Sequence, residues 1–140
     1  MFKDVREPAV AGQFYPDDPK LLENTIEEYL NKVDKKIEAP VLGIIVPHAG
    51  YPFSGQTAAY AFKQLKDKTY TTVILIGPTH HYSLEHASVA PFDAYRTPLG
   101  TIGVDVEVRD ELLKSPYIDT IRDAHLPEHC LEVELPFLQK

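Results

Sequence analysis

The apolar positions of the chain fall into two kinds of pattern. Leu21, Leu22, Thr25, Ile26, Tyr29, Leu30 and Val33 recur every three to four residues, which predicts an amphipathic helix with one buried stripe. Asp17 or Asp18 supplies its cap and Pro19 suits its first turn. Lys32, Lys35 and Lys36 complement the negative end of the helix dipole, and Pro40 stops it. Two other stretches are almost continuously apolar: Val41-Leu42-Gly43-Ile44-Ile45-Val46 and Thr72-Val73-Ile74-Leu75-Ile76. Runs of this kind predict strands buried on both faces, as in a parallel sheet. The first ends at Pro47 and the second at Gly77-Pro78. Between them residues 54–66 place Ala58, Ala61, Phe62 and Leu65 on one side of a helix. Strand, helix, strand is a βαβ unit, right-handed and parallel.

The rest of the chain adds smaller elements. A short strand is expected around residues 87–90. A helix is expected over 104–114 with Val104, Val108, Leu112 and Leu113 inward, and another apolar element from Leu131 to Lys140. No repeat or low-complexity tract interrupts this order. At 140 residues the chain suits one domain, 1–140. The fold class expected is α/β with a mainly parallel sheet.

Charge narrows the function. Lys plus Arg is 14 against 21 for Asp plus Glu, a net charge of -7, which argues against a nucleic-acid partner. Lys63, Lys66 and Lys68 read as a solvated helix end. The longest apolar run, residues 41–47, is far shorter than the ~20 residues that cross a bilayer, and the start MFKDVREPAV lacks a signal-peptide core. No membrane association and a cytoplasmic location are therefore expected. The single Cys130 excludes an internal disulfide and reads as a small buried residue.

The candidate chemistry is carried by histidines. Ile45-Val46-Pro47-His48-Ala49-Gly50-Tyr51 and Ile76-Gly77-Pro78-Thr79-His80-His81-Tyr82 each place proline and then histidine just beyond a predicted strand. In open α/β sheets ligands bind at that edge, so His48 and His80 are candidates for metal binding or acid–base work. His81 is a substrate-contact candidate, while His86 and His125 read as surface or structural residues. His129 and Glu132 are three apart and share a helix face. Glu128, Glu132 and Glu134 otherwise read as a solvated acidic helix start. Arg96 is read as a hairpin tie to a carboxylate, with capture of a substrate carboxylate as the alternative.

Five motifs occur together in order: Ala9-Val10-Ala11-Gly12-x-Phe14-Tyr15-Pro16, Pro47-His48-Ala49-Gly50-Tyr51, Gly77-Pro78-x-His80-His81, Tyr95-Arg96-Thr97-Pro98-Leu99-Gly100, and Glu128-His129-x-Leu131-Glu132-Val133-x-Leu135-Pro136-Phe137. This set resembles the Memo-like family, whose prokaryotic members are called AmmeMemoRadiSam system protein B. That family is similar in fold to the LigB-type class III extradiol dioxygenases. The resemblance implies a three-layer α/β/α architecture (phosphorylase/hydrolase-like) and a non-haem metal site. It gives His48 and His80 the role of metal ligands for Fe, Cu or Zn. It makes His129 and His81 catalytic or pocket residues, with Glu132, Tyr51 and Arg96 as supporting candidates.

The functions implied are a dioxygenase-like redox enzyme or its remnant, or alternatively a non-catalytic metal- or peptide-binding signalling module. The ligand would be a small molecule or a peptide. The family is longer than 140 residues, so the resemblance covers its N-terminal portion and implies a truncated fold. The remaining family ligand, a cysteine or carboxylate, then lies elsewhere. A 2-His-1-carboxylate iron site needs a third ligand; unless Glu132, a water or a neighbouring chain substitutes, any metal held here is expected to be bound more weakly and more openly than in the family. A sheet interrupted in this way invites a homo-oligomer or a second polypeptide that completes it.

Overall fold

A computed structural model describes residues 2–140. Helix α1 (Pro19–Asn31) forms where the periodicity places it, with the Asp18 carboxylate accepting the Leu21 amide at 2.8 Å. Its apolar stripe of Leu22, Ile26 and Leu30 is buried; side chains of this size contribute about 1.5–3 kcal/mol each when fully buried. Helix α2 (Tyr51–Phe62) starts three residues before the periodicity suggests and ends in a 3-10 turn, Lys63–Leu65. Pro52 in its first turn is already suited to helix and extends it forward. The two helices touch closely at Gly55, where a Cβ would come 2.6 Å from the Tyr29 ring. Lys35 reaches the far end of α2, donating to the Lys66 carbonyl at 2.7 Å.

The remaining elements are short. They are β1 (Val5–Arg6), β2 (Ala87–Ser88), β3 (Ala94–Thr97), β4 (Gly100–Gly103), α3 (Val106–Leu112), β5 (Ile118–Asp119), α4 (Arg122–His125), a 3-10 turn Glu132–Glu134 and α5 (Leu135–Leu138). β1 pairs parallel with β3, and β3 pairs antiparallel with β4 in a hairpin. β2 pairs parallel with β5. The chain is thus a mixed α/β fold with two small sheets. None of α3 is fully buried; Val104, Val108, Leu112 and Leu113 are half-buried rather than inside.

The expected central parallel sheet differs most from what is observed. Residues 41–46 and 72–76 belong to no hydrogen-bonded strand. In the first run the side chains nevertheless alternate as in a strand; in the second only Leu75 is partly covered, with Val73, Ile74 and Ile76 exposed. Ile44 and Val46 pack on the core between α1 and α2, and Leu75 packs on a second core around Phe92, Tyr95 and Leu135. Leu42, Ile45 and Ile76 are essentially bare, at 101%, 99% and 91% exposure. Continuous apolarity predicts cover on both faces; among the described residues the outer face is left bare.

One buried ion pair ties the ends of the chain together. Arg6, 1% exposed, meets Glu132, 0% exposed, at 2.6 Å. Arg6 also donates to the carbonyls of His125, Leu126 and Glu128. Glu132 also accepts the amides of Ala9 and Val10 and the Tyr15 hydroxyl. Every lone pair and N–H that matters is met, which is the condition for burying two charges. This hub holds the N-terminal segment against the segment that carries His129.

Candidate metal centre

The two apolar runs deliver their histidines to one place. The Tyr70 hydroxyl donates to the Val41 carbonyl at the start of the first run. At the far ends the His48 and His80 rings lie 5.3 Å apart. The runs therefore travel side by side in the same direction, as a βαβ unit requires. His129 arrives from the loop after α4. Its ring lies 4.5 Å from that of His80 and 6.0 Å from that of His48. Phe14 packs on it from the other side at 4.7 Å. Imidazoles that share an ion through nitrogens at about 2.1 Å have ring centres roughly 4.5–5.5 Å apart. By ring centres the three are in or just beyond that range, but the ligand atoms that come within 4.8 Å of one another belong to His80, Glu128 and His129, with His48 outside that group.

Glu128 organises the cluster. One of its oxygens lies 2.9 Å from His80 Nδ1 and accepts the amides of His129 and Cys130; the other accepts the His80 amide. Burial alone raises this carboxyl, but those hydrogen bonds outweigh it and hold the group down at about 2. An ionised Glu128 on Nδ1 makes that nitrogen the donor and leaves Nε2 of His80 as the free lone pair. Ligand atoms of His80, Glu128 and His129 lie within 4.8 Å of one another, so Glu128 could itself be counted as a donor. Both its oxygens are already engaged with N–H groups, so its place is behind the imidazoles. His129 is held below the usual histidine range by burial; Glu128 opposes this, and the neighbouring His80, His48 and His81 reinforce it. A neutral imidazole is the form that binds metal.

The surroundings explain the local sequence. A Cβ at Gly77 would come 2.7 Å from Cys130 Sγ, so glycine lets the second run pass the His129 loop. Cys130 is buried and donates to the Pro78 carbonyl. Burial, then Glu128, pushes its thiol up to about 12, which leaves it unreactive near neutral pH.

His48, His80 and His129 come together. His81 stands at the rim, exposed, with its ring 6.4 Å from His129. Glu132 does not reach the cluster, because Arg6 and the N-terminal amides consume it; it cannot stand in as the third ligand. Tyr51 is also elsewhere. It is buried, donates to the Val133 carbonyl at 2.9 Å and packs on Phe137. Arg96 sits on the β3–β4 hairpin, pairing with Glu7 at 2.9 Å and with Thr101. His125 is packed in the fold with Ser88 on its ring, and His86 faces Asp119.

Three contributors escaped the sequence reading: Glu128, Phe14 and Arg6. Glu128 looked like a solvated helix start, yet it is 7% exposed; its adjacency to His129 was the available signal. Phe14 lay in a motif with no assigned role, and Arg6 gave no local signal at all. Glu134, two residues beyond Glu132, is 5% exposed, and neither of its oxygens meets a donor among the described residues. It lies in an apolar cleft with Pro47, Tyr51, Ala58 and Phe137, and burial raises its carboxyl to about 8.

Comparison with known proteins places this geometry in context. A family model described as "Memo-like protein" matches residues 6–140. A "MEMO1 family protein" of Aquifex aeolicus is 44% identical over 97% of the chain and 50% of its own length. A "MEMO1 family protein" of Methanosarcina mazei is 40% identical over 97% of the chain and 49% of its own length. One from Thermoplasma volcanium is 38% identical over 96% and 50%. The chain spans about half the length of the curated relatives it matches.

Proposed function

The chain belongs to the Memo-like protein family, and on that premise we propose that His48, His80 and His129 form a metal-binding centre with redox or Lewis-acid function. The observation that carries this reading is the convergence of three imidazoles with ring centres 4.5–6.0 Å apart, one of them fixed through Nδ1 by a buried carboxylate. An all-imidazole donor set suits Zn, Cu or Fe. A metal bound there would polarise a substrate oxygen or exchange electrons with it. The chain's own residues do the rest. Glu128 fixes the His80 ring, Phe14 holds His129 in place, and exposed His81 is positioned to contact a ligand entering from the rim. This arrangement supports a dioxygenase-like oxidoreductase centre of the kind the LigB resemblance implies.

The first test is metal content. Protein stripped and then exposed separately to Fe²⁺, Cu²⁺ and Zn²⁺ is expected to retain about one equivalent of at least one of them. A variant combining His48→Ala, His80→Ala and His129→Ala is expected to retain none. Equal retention by the triple variant would sink the metal centre. Oxygen uptake with catechol-type substrates then separates an enzyme from a metal-binding module. Uptake that depends on both metal and His129 supports the oxidoreductase; firm metal binding without turnover favours the binding module.

A further inference from the structure

Glu134 is a buried carboxyl that neither the hub nor the histidine cluster uses. It is 5% exposed, and neither oxygen has a hydrogen-bond partner among the described residues. Its cleft is walled by Tyr51, Ser54 and Ala58 of α2, by Phe137 of α5, and by Pro47 and Ala49 of the loop before α2. Pro47 and Ala49 flank His48, so the cleft touches the loop on either side of that residue and not the imidazole itself. We propose that Glu134 is a proton-dependent latch on the 47–49 loop: uncharged, it lets the loop seat and hold His48 at the cluster; ionised, it displaces the loop to reach water.

The chemistry of the walls carries this. The Ser54 hydroxyl is spent on the Ala49 carbonyl at 3.2 Å and the Tyr51 hydroxyl on the Val133 carbonyl at 2.9 Å. Pro47 has no N–H to give, and the side chains of Ala58 and Phe137 have no donor. An uncharged carboxyl stays in such a cleft at modest cost; a carboxylate there needs a donor or a cation. Among the described residues no cation faces it. α2 presents Tyr51, with Tyr15 and Tyr29 packed behind it, all phenols. α5 (Leu135–Leu138) contains no titratable residue. Its own turn carries Glu132, which is taken by Arg6. The loop carries His48, whose ring joins the cluster 5.3 Å from that of His80.

Of these walls the loop is the one that can give, because the other two are helices that move only as bodies. Pro47 and Ala49 are themselves exposed, so the loop is a single layer between the carboxyl and water. Among the described residues the Ser54 contact is the one hydrogen bond that holds residues 47–49. The direction follows from linkage. Burial raises the carboxyl to about 8 in the seated fold, against an ordinary 4.5 once it reaches water. The seated state therefore holds the extra proton, and unseating becomes easier by up to about ten-fold per pH unit between those two values. The loop is held most firmly at the acid end of that window, the reverse of what imidazole protonation alone does to a histidine site.

The test is nuclear magnetic resonance on the metal-free 140-residue chain, labelled with carbon-13 at the Glu carboxyls and Ala methyls and titrated from about pH 5 to about pH 9. Glu134 is expected to titrate above the ordinary 4.5 and no higher than about 8. The Ala49 methyl should shift with the same midpoint, and the Ala58 methyl, on the helical wall, much less. The Overhauser contact between the His48 and His80 rings should weaken at least about two-fold through that midpoint, while α1 resonances stay in place. Glu134→Gln keeps the shape without the charge and should remove the step at Ala49 and at the ring contact; if it fails to fold, Glu134→Met supplies the comparison. A Glu134 carboxyl titrating near 4.5, or a step that persists in the variant, would overturn the proposal. So would equal shifts at Ala49 and Ala58, which report a charge felt through space, or a step that coincides with loss of the α1 signals, which reports unfolding of the whole chain. No metal enters the experiment, so its failure leaves the proposed metal centre standing, and failure of the metal centre leaves the latch standing.

Discussion

The segment from Glu128 to Glu132 serves two regions that treat charge in opposite ways. On one side Glu132 meets Arg6 in a closed hub where the carboxylate accepts two backbone amides, a hydroxyl and a guanidinium. On the other, Glu128 holds an open cluster in which the imidazole it fixes keeps a free nitrogen. Saturation is what a structural ion pair needs, because a buried charge left short of partners is costly. Incomplete saturation is what a ligand site needs, because a free lone pair is its function. The difference between a residue that holds the fold and one that serves the site therefore lies in the partners already present, not in the residue type.

The hub gives the largest expected effect. Glu132→Ala leaves Arg6 buried and unpaired and should cost about 3–5 kcal/mol, read as a lower urea midpoint at unchanged m-value. Arg6→Met combined with Glu132→Leu should recover only part of this, since the Tyr15 hydroxyl and the Ala9 and Val10 amides still lose their acceptor. A Glu132→Ala protein of native stability would show that saturation does not distinguish the two regions.

Glu134, two residues beyond that segment, is the control: it is also buried, but has no partner among the described residues. Its carboxyl titrates at about 8 in the fold against an ordinary 4.5, so between those values the folded state binds the extra proton. Its contribution is therefore fully present below pH 4.5 and lost as pH rises toward 8, by at most about 5 kcal/mol. Thermal melts should show stability falling across that window, and Glu134→Met should flatten the fall and raise the melting temperature at pH 8. A window unchanged in the variant would assign the pH dependence to other groups.

Glu128→Gln sharpens the comparison on the open side. It keeps one acceptor oxygen but loses the charge that fixes the His80 tautomer and turns its NH2 against a backbone N–H, so metal affinity should drop about 10–100-fold with a fall in the urea midpoint smaller than that of Glu132→Ala. Competition with a chelator measures the first and denaturation the second; a stability loss without an affinity loss would move Glu128 to the structural side. The smallest effect is expected on the hairpin. Arg96→Ala removes an exposed pair with Glu7 and should cost under about 1 kcal/mol, with metal content unchanged.

Legibility followed the range of the interaction. Helix α1 with its Asp18 cap could be read from spacing, because its stripe and its cap are local. The pairing of His48 with His80 was legible as well, since two runs with the same ending in a βαβ unit must finish at one edge. The roles of Glu132, Tyr51 and Arg96 were not. Glu132 is fixed by Arg6, 126 positions away, and Tyr51 by Val133, 82 away; no local pattern carries such a pairing.

The sequence by itself determined the family, the positions of the longer helices and the candidate histidines at the ends of the two apolar runs. Those properties reside in residue type and short-range periodicity. Only the tertiary structure decided that the His129 ring comes 4.5 Å from that of His80, that Glu128 stands behind the pair, and that Glu132 belongs to the hub. It alone showed, too, that the apolar runs are covered on one face and bare on the other. Apolarity records that a side chain is suited to burial; whether a partner is there to bury it is a property of the assembled fold.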